Sequence, residues 1–118
     1  MQVDAVKGAL GRVVTVTVDR PMGTYHPEHP DLYYPVNYGY VEGTMAPDGD
    51  WQDAYILGVS EPVAVFTGPV IAVICRRDDV EDKWVVAPEG SSFEEAEILR
   101  QVCFQERYFD SFVVMQDS

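Results

Sequence analysis

Basic residues are scarce in this 118-residue chain, in which eight lysines and arginines are outnumbered by twenty aspartates and glutamates, giving a formal charge of −12 at pH 7. A chain this acidic repels phosphate backbones and anionic lipids, so nucleic acids and membranes are not expected as partners. Metal cations are the natural counter-ions of such a chain. The charge balance therefore favours a site in which carboxylates hold cations.

Long hydrophobic runs and cysteine clusters are also missing. No apolar run approaches the ~20 residues that a membrane helix needs. The opening MQVDAVKG lacks the hydrophobic segment of a signal peptide, so we expect a cytoplasmic protein. Cys75 and Cys103 belong to no Cys-x-x-Cys or Cys/His cluster, which predicts free, buried thiols rather than metal ligands.

Apolar residues, by contrast, make up 47% of the chain, as in an ordinary soluble globular protein. The length predicts one domain over residues 1–118. In RVVTVTVD the alternation predicts a half-buried strand, and prolines then predict a long loop over residues 21–31. Further short strands are predicted for DAYILGV, PVAVF, PVIAVIC, KWVVA and SFVVM.

One helix is predicted, late in the chain. Ser91 or Ser92 is its expected N-cap, and Glu94 or Glu95 completes a capping box. Five or six short strands with a single C-terminal helix indicate a mainly β (α+β) fold, a small OB-like barrel with the helix packed on its side. The apolar stripe expected on the helix comprises Ala96, Leu99, Val102 and Cys103.

Carboxylates are concentrated in PDGDWQDAY, where Asp48, Asp50 and Asp53 surround a turn made by Pro47 and Gly49. In an extended segment, alternation places Asp48 and Asp50 on one side, and Asp53 joins them through the turn. Three ionised carboxylates this close are costly without a cation between them. The alternative interpretation is a solvated acidic hairpin tip. An EF-hand is excluded, because the loop lacks the later glycine and the glutamate at the twelfth position.

A second acidic cluster favours the metal interpretation. Two carboxylate clusters on loops of one small barrel can hold several divalent ions close together, as metal-assisted phosphoryl transfer to water requires. Mg²⁺ is the expected cofactor, with Mn²⁺ as the alternative. The candidate ligands in this second cluster, RRDDVEDKW, are Asp78, Asp79, Glu81 and Asp82.

The segment over residues 33–58, YYPVNYGYVEGTMAPDGDWQDAYILG, resembles the signature of the family I soluble inorganic pyrophosphatases, which combines Y-P-x-N-Y-G-[FY] with D-G-D-P-x-D. DDVEDKWVVAP is similar to that family's second acidic segment, which ends in D-x-K and an apolar strand closing on proline. FQERYF is similar to the end of its C-terminal helix, which carries a Tyr-Lys pair. The resemblance extends over residues 14–109. It implies a five-stranded OB-like barrel, Mg-dependent hydrolysis of pyrophosphate to phosphate, and a homo-oligomer.

By this resemblance, the aspartates of the signature divide into ligands and a base. Asp48 and Asp53 correspond to the metal ligands, and Asp50 corresponds to the carboxylate that accepts a proton. Tyr38 corresponds to the tyrosine near the attacking oxygen, and Tyr34 to the tyrosine on the side of the leaving phosphate. The alternative for these tyrosines is a purely structural role in the barrel.

The resemblance also implies residues that bind phosphate. Lys83 corresponds to the lysine before the closing strand, Tyr108 to the helix tyrosine, and Arg20 in VDRPMG to the phosphate-binding arginine. An alternative alignment puts His26 and Glu28 in the place of a lysine and a glutamate of the family's first strand.

The chain also departs from the family pattern. Phe109 stands where the family has lysine, Trp51 stands where it has proline, and the loop after Arg20 is longer than usual. Fewer phosphate-binding cations therefore remain than in the family. The predicted function is hydrolysis of pyrophosphate by metal-activated water, and the alternative is a catalytically weak relative that binds phosphate or a phosphorylated ligand through metal.

Several neighbouring residues have structural interpretations. Asn37 and Gly39 are expected to serve a turn. The proline-flanked His26 and His29 are expected to be exposed loop residues rather than ligands. Two basic residues are interpreted either as solvated partners of the acidic cluster or as replacements for the missing phosphate contacts: Arg76 and Arg77.

Overall fold

The computed structural model describes residues 8–45, 51–77 and 82–115. Within them, no helix is long and apolar enough to cross a membrane. The described residues form strands and a twelve-residue helix, which we number in chain order. These elements are β1 (Val13–Arg20), β2 (Asn37–Met45), β3 (Trp51–Ile56), β4 (Val65–Arg76), β5 (Asp82–Val86), α1 (Glu95–Glu106) and β6 (Ser111–Met115).

Five of the strands close into a barrel. The sheet runs in the order β1-β2-β3-β5-β4-β6, and β1 also pairs with β4, so that β1, β2, β3, β5 and β4 form a ring and β6 extends it at β4. Strands β3 and β5 are parallel, and the other pairs are antiparallel. The predicted OB-like barrel with a flanking helix is confirmed.

The long strand β4 was predicted as two strands, PVAVF and PVIAVIC. Up to Pro69 it pairs with β1, and from Val70 it pairs with β5. Proline lacks a backbone N–H and is tolerated at such a change of partner, while Gly68 brings the backbone close to the Ala87 carbonyl oxygen. The proline and glycine therefore bend one strand instead of ending it.

Strand β2 was not predicted, and the turn expected at Asn37 and Gly39 is wrong. Gly39 lies in the strand, against the backbone of β1, where a Cβ would collide with the Thr17 carbonyl oxygen. Asn37 is buried, and its Oδ1 accepts hydrogen bonds from the backbone N–H groups of Met22 (2.9 Å) and Val63 (3.2 Å). These residues thus fix β2 against its neighbours rather than reversing the chain.

Two apolar clusters use opposite faces of the barrel strands. The barrel core lies inside the ring, because all five barrel strands contribute to it; its buried members are Ala9, Val14, Val16, Val41, Ala54, Ile56, Val70, Val73, Cys75, Trp84 and Val86. The helix-side core lies outside the ring, beneath α1; its buried members are Tyr34, Val36, Tyr38, Tyr55, Leu57, Ala72, Ile74, Val85, Ile98, Val102 and Val113.

The helix exists as predicted, but its details differ. Its N-cap is Glu94, with no side-chain cap hydrogen bond, so the predicted serine caps and capping box are wrong. Its buried face consists of Ile98, Val102 and Glu106. Of the predicted stripe, Val102 is buried and Leu99 is partly buried against the helix-side core. Ala96 and Cys103 are exposed. Both thiols are free, as predicted, but only Cys75 is buried, so the predicted burial is wrong for Cys103.

Candidate active site

A cleft of about 620 Å³ opens between the loop that follows β1, the cleft-facing side chains of β3 and β5, and the end of α1. Five of the residues predicted to bind substrate or metal or to act in catalysis line this one cleft, although they are spread across the chain. They are Arg20, Tyr38, Asp53, Lys83 and Tyr108.

Asp53 and Lys83 meet at the base of the cleft because β3 and β5 run parallel, with Ala54 opposite Trp84. Lys83 Nζ donates to Asp53 Oδ2 at 2.6 Å. The lysine side chain is only 5% exposed, whereas the aspartate side chain is 34% exposed. The Lys83 ammonium is therefore buried and paired, while part of the Asp53 carboxylate stays accessible to a ligand.

Tyr38 lies on the same side of the barrel, close to Lys83, whose Nζ is 6.0 Å from its ring centre. Burial raises the pKa of Tyr38 well above its usual value, and the negative charge of Asp53 raises it further. The phenol therefore keeps its proton at neutral pH and serves as a hydrogen-bond donor rather than as a base.

Arg20 lies over two tyrosine rings. Its guanidinium carbon is 5.8 Å from the ring centres of both Tyr34 and Tyr38, within the range of a cation–π contact. Its Nη1 also lies 3.5 Å from the Tyr34 hydroxyl, at the limit of a hydrogen bond. The tyrosines thus orient the arginine side chain where it lines the cleft.

Tyr34 is fully buried and lies behind the cleft. Its hydroxyl donates to Gln105 Oε1 at 2.8 Å, and Gln105 Nε2 donates to the Tyr55 hydroxyl at 2.7 Å. Burial raises the pKa of Tyr34 despite the opposing charge of Arg20. Gln105 lines the cleft, and its hydrogen bonds therefore connect the cleft wall to the buried Tyr34 and Tyr55.

The polar chain continues to a buried ion pair. Tyr55 donates to Glu106 Oε2 at 2.6 Å, Ser111 donates to Oε1 at 2.7 Å, and Arg76 donates through Nε (3.0 Å) and Nη2 (2.8 Å). Burial acts to raise the pKa of Glu106, but these hydrogen bonds outweigh it and hold the pKa below its usual value. Glu106 is therefore an ionised anchor within the helix-side core.

The two adjacent arginines differ. Arg76 is buried with Glu106, and its guanidinium carbon is 3.6 Å from the centre of the Phe109 ring. The interpretation of Arg76 as a solvated charge is wrong. Arg77 is exposed and pairs with Asp110 at 2.9 Å. The Phe109 ring thus covers an arginine, in the position where the family pattern has lysine.

Asp82 points away from Lys83, as consecutive residues of a strand do. It lies beside Cys75, and burial, followed by the negative charge of Asp82, raises the pKa of that thiol to about 12. Burial likewise raises the pKa of Asp82. Asp82 therefore lies on the side of the barrel core. The other predicted carboxylates, Asp48, Asp50, Asp78, Asp79 and Glu81, lie outside the described residues.

The donor set bears on the expected metal. In the part of the chain that the structure describes, no group of three or more histidine, cysteine, aspartate or glutamate side chains is close enough to hold an ion. Asp53 nevertheless fits a hard cation, because it offers carboxylate oxygens and is partly exposed at the cleft. Among the described residues, Asp53 thus offers one carboxylate suited to a divalent cation at the cleft.

Sequence reasoning missed part of this cleft. Gln105, at the cleft wall, and the buried Glu106 next to it were not singled out, because polar residues near a helix end normally face solvent. His29 is an exposed loop residue, as predicted, whereas His26 is partly buried, and both line the cleft. The longer loop after Arg20 was the available signal, since a long loop next to a site often carries function.

The cleft of this closed β-barrel combines arginine, lysine and tyrosine side chains with an aspartate that suits a metal ion. Such a combination is typical of a protein that binds a small anion such as phosphate. The family model described as inorganic pyrophosphatase matches residues 12–100. The chain therefore belongs to the inorganic pyrophosphatase family, the metal-dependent inorganic diphosphatases.

Solved structures agree on the fold. The inorganic pyrophosphatase from Ehrlichia chaffeensis is similar with a TM-score of 0.69 and 19% identity, over 90% of this chain and 87% of that one. The enzyme from Neisseria gonorrhoeae gives 0.62 and 18%, over 91% and 82%. That from Thermus thermophilus gives 0.57 and 18%, over 89% and 80%. A comparison with curated protein sequences gives no significant match.

Proposed function

We propose that this chain hydrolyses inorganic pyrophosphate to two phosphates with the help of Mg²⁺, for which Mn²⁺ is the alternative. The observation that carries the proposal is the convergence of Arg20, Tyr38, Asp53, Lys83 and Tyr108 on one cleft of a chain in the pyrophosphatase family. A homo-oligomeric, cytoplasmic enzyme remains the prediction for its assembly and location.

The cationic and phenolic groups of the cleft bind the substrate in this proposal. Arg20 and Lys83 donate charge-assisted hydrogen bonds to phosphate oxygens, and Tyr108, at the end of α1, adds a hydroxyl. Tyr34 holds Arg20 from behind. Tyr38, kept protonated by burial, donates a hydrogen bond near the attacking oxygen.

The carboxylates hold the metal and move the proton. Asp53 and Asp48 are the proposed ligands from the signature, with Asp78 or Asp79 from the second cluster. When bound, a divalent cation supplies charge neutralisation on phosphate oxygens and activation of the attacking water. Asp50 accepts the proton from that water.

One further ligand comes from Glu81 or Asp82. We favour Glu81, because the Asp82 carboxylate lies beside Cys75 on the side of the barrel core.

Phosphate release from pyrophosphate tests the proposal. The purified chain should release two phosphates per pyrophosphate consumed, stop when a chelator removes Mg²⁺, and resume when Mg²⁺ is restored. Folded protein that releases no phosphate at millimolar Mg²⁺ or Mn²⁺ would contradict the enzymatic function.

A second candidate function is favoured by Phe109. With a phenyl ring in place of the family's lysine, and with Arg76 paired to Glu106, the cleft has fewer cations for phosphate. This arrangement suits a protein that binds phosphate or a phosphorylated ligand through metal with little turnover. Tight binding of methylenediphosphonate, a non-hydrolysable analogue, without phosphate release from pyrophosphate would favour this alternative.

A further inference from the structure

The loop between β1 and β2 is folded back on itself and held at the cleft. Tyr25 and Tyr33 form an isolated β-bridge across it. The His26 N–H donates to the Leu32 carbonyl (2.9 Å), and the Leu32 N–H donates to the His29 carbonyl (2.9 Å). These bonds give a defined conformation to a loop that is longer than the family pattern, and that conformation brings both histidines to the cleft wall.

His26 is placed among groups that bind phosphate in the proposed function. Its ring is stacked on Tyr34, with centroids 6.4 Å apart, and lies 4.6 Å from the ring of His29. Tyr34 in turn contacts Arg20. A donor on His26 is therefore close to the guanidinium that binds the same ligand.

One hydrogen bond selects the tautomer of His26. Its Nδ1 accepts the backbone N–H of Glu28 at 3.0 Å, so this nitrogen carries a lone pair and the ring hydrogen of the neutral imidazole is on Nε2. Partial burial, followed by the positive charge of Arg20, lowers the pKa of His26, which favours the same neutral form. Among the described residues, no hydrogen-bond partner is found for Nε2.

We propose that His26 is a substrate-binding residue of this cleft, whose neutral imidazole donates its Nε2 hydrogen to a phosphate oxygen of pyrophosphate. It offsets the donor lost where Phe109 replaces the family's lysine. The inference rests on the proposed function and adds a specificity-determining group that the longer loop contributes.

Two substitutions distinguish the role of Nδ1 from that of Nε2 in His26. In His26→Asn, the short amide can still accept the Glu28 N–H, but the Nε2 donor is gone. In His26→Gln, the longer amide nitrogen reaches the position of Nε2 and the acceptor for Glu28 is lost. Binding of methylenediphosphonate and the steady-state constants for pyrophosphate are measured for both variants at the same Mg²⁺ concentration.

We expect His26→Asn to raise the dissociation constant and KM roughly tenfold, as loss of one hydrogen bond to a charged group does, with a smaller change in kcat. His26→Gln should stay within about threefold of the wild type, a small part of the loss of such a bond. A residue that only shaped the loop would give the reverse order, because Gln loses the bond to Glu28. The reverse order, or equal affinities for Asn and wild type, would overturn the proposal.

The chain has only two histidines, so its imidazole signals can be observed directly. The ¹⁵N spectrum should show His26 as the Nε2–H tautomer, and saturation with methylenediphosphonate should shift that Nε2–H signal. An unchanged signal while the ligand binds would reject the role of His26 and leave the proposed function intact. Wild-type protein that neither binds the analogue nor hydrolyses pyrophosphate would reject both.

Discussion

The barrel core and the helix-side core are built from alternate residues of the same strands, yet the tyrosines of the described core belong to the helix side. Ala54 and Ile56 point into the barrel, while Tyr55 between them points toward α1. The barrel core is filled mainly by valine and alanine. The tyrosine hydroxyls of the helix-side core meet amide, carboxylate and guanidinium groups at its edge, and among the described residues no buried side-chain nitrogen or oxygen lacks a hydrogen-bond partner.

This difference shows how a small barrel separates stability from chemistry. Buried tyrosines contribute large apolar area, but each hydroxyl needs a hydrogen-bond partner. Gln105 and Glu106 supply those partners from the last turn of α1. The same helix end borders the cleft, so the groups that satisfy the core also fix the wall of the proposed active site.

The largest expected effect is on turnover. Asp50→Asn keeps the shape of the side chain but removes its basicity, so kcat for pyrophosphate should fall ~10²–10⁴-fold, the usual contribution of a general base. The rise in melting temperature with Mg²⁺ should persist, since the proposed ligands remain; at 100 times the dissociation constant, Mg²⁺ adds roughly 2.7 kcal/mol. Unchanged hydrolysis would remove Asp50 from the mechanism.

The next effect is on the free energy of unfolding. Glu106→Gln leaves Arg76 buried without its counter-charge and should cost about 3–5 kcal/mol. Asp110→Asn is the matched control, because the Arg77–Asp110 pair is 57% and 59% exposed and should cost at most about 1 kcal/mol. Equal losses in urea unfolding would contradict the distinction between the buried and exposed pairs.

The same pair predicts the acid limb of stability. The folded pKa of Glu106 lies below its unfolded value, so its contribution is fully present above the unfolded pKa of about 4.3 and is lost as the pH falls through the lower folded pKa. The loss of stability in this range should be smaller in Glu106→Gln than in the wild type. If the wild type and Glu106→Gln lost stability equally as the pH falls, Glu106 would not be ionised in the folded protein as described.

Adjacent residues on opposite faces sharpen the comparison. Ile56→Ala should destabilise the fold by about 2–5 kcal/mol and leave KM unchanged in the protein that remains folded. Tyr55→Phe should cost about 1–3 kcal/mol, because Glu106 and Gln105 each lose a partner. It should also raise KM, since Gln105 at the cleft wall loses the hydroxyl that accepts its Nε2 hydrogen bond. Both variants are compared by urea unfolding and steady-state kinetics, and a rise in KM for Ile56→Ala alone would reverse the proposed division.

The smallest expected effect concerns the end of α1. Phe109→Lys restores a cation at the cleft and should lower KM for pyrophosphate more than it raises kcat. The gain should be modest, because the new ammonium lies close to Arg76, whose contact with the ring is lost. A KM that does not fall would argue that this helix end, with Tyr108, is outside the substrate site.

Local patterns predicted the features that local physics determines. SFVVM predicted β6 with its bounds, and the alternation in RVVTVTVD predicted the inward face of Val14 and Val16. The signature motifs also led to residues that meet in one cleft, because a motif preserves geometry that periodicity does not encode.

The remaining features depend on contacts between distant segments. In the sequence, Gly39 indicates a turn, but in the structure it is needed because the backbone of β1 lies against it. In the sequence, Glu106 is expected to face solvent, but in the structure its carboxylate is buried and accepts hydrogen bonds from Arg76 and Tyr55. The approach of His26 to the cleft follows from backbone bonds within an irregular loop, which no hydrophobic period describes.

The initial rate of phosphate release from pyrophosphate, measured at millimolar Mg²⁺ for the wild type and for Asp53→Asn, tests the central claim most directly. If the cleft lined by Asp53 and Lys83 is the active site, the wild type releases phosphate and the variant loses most of that rate. A cooperative melting curve shows that the variant remains folded. A folded Asp53→Asn variant that hydrolyses pyrophosphate as fast as the wild type would show that the chemistry takes place elsewhere.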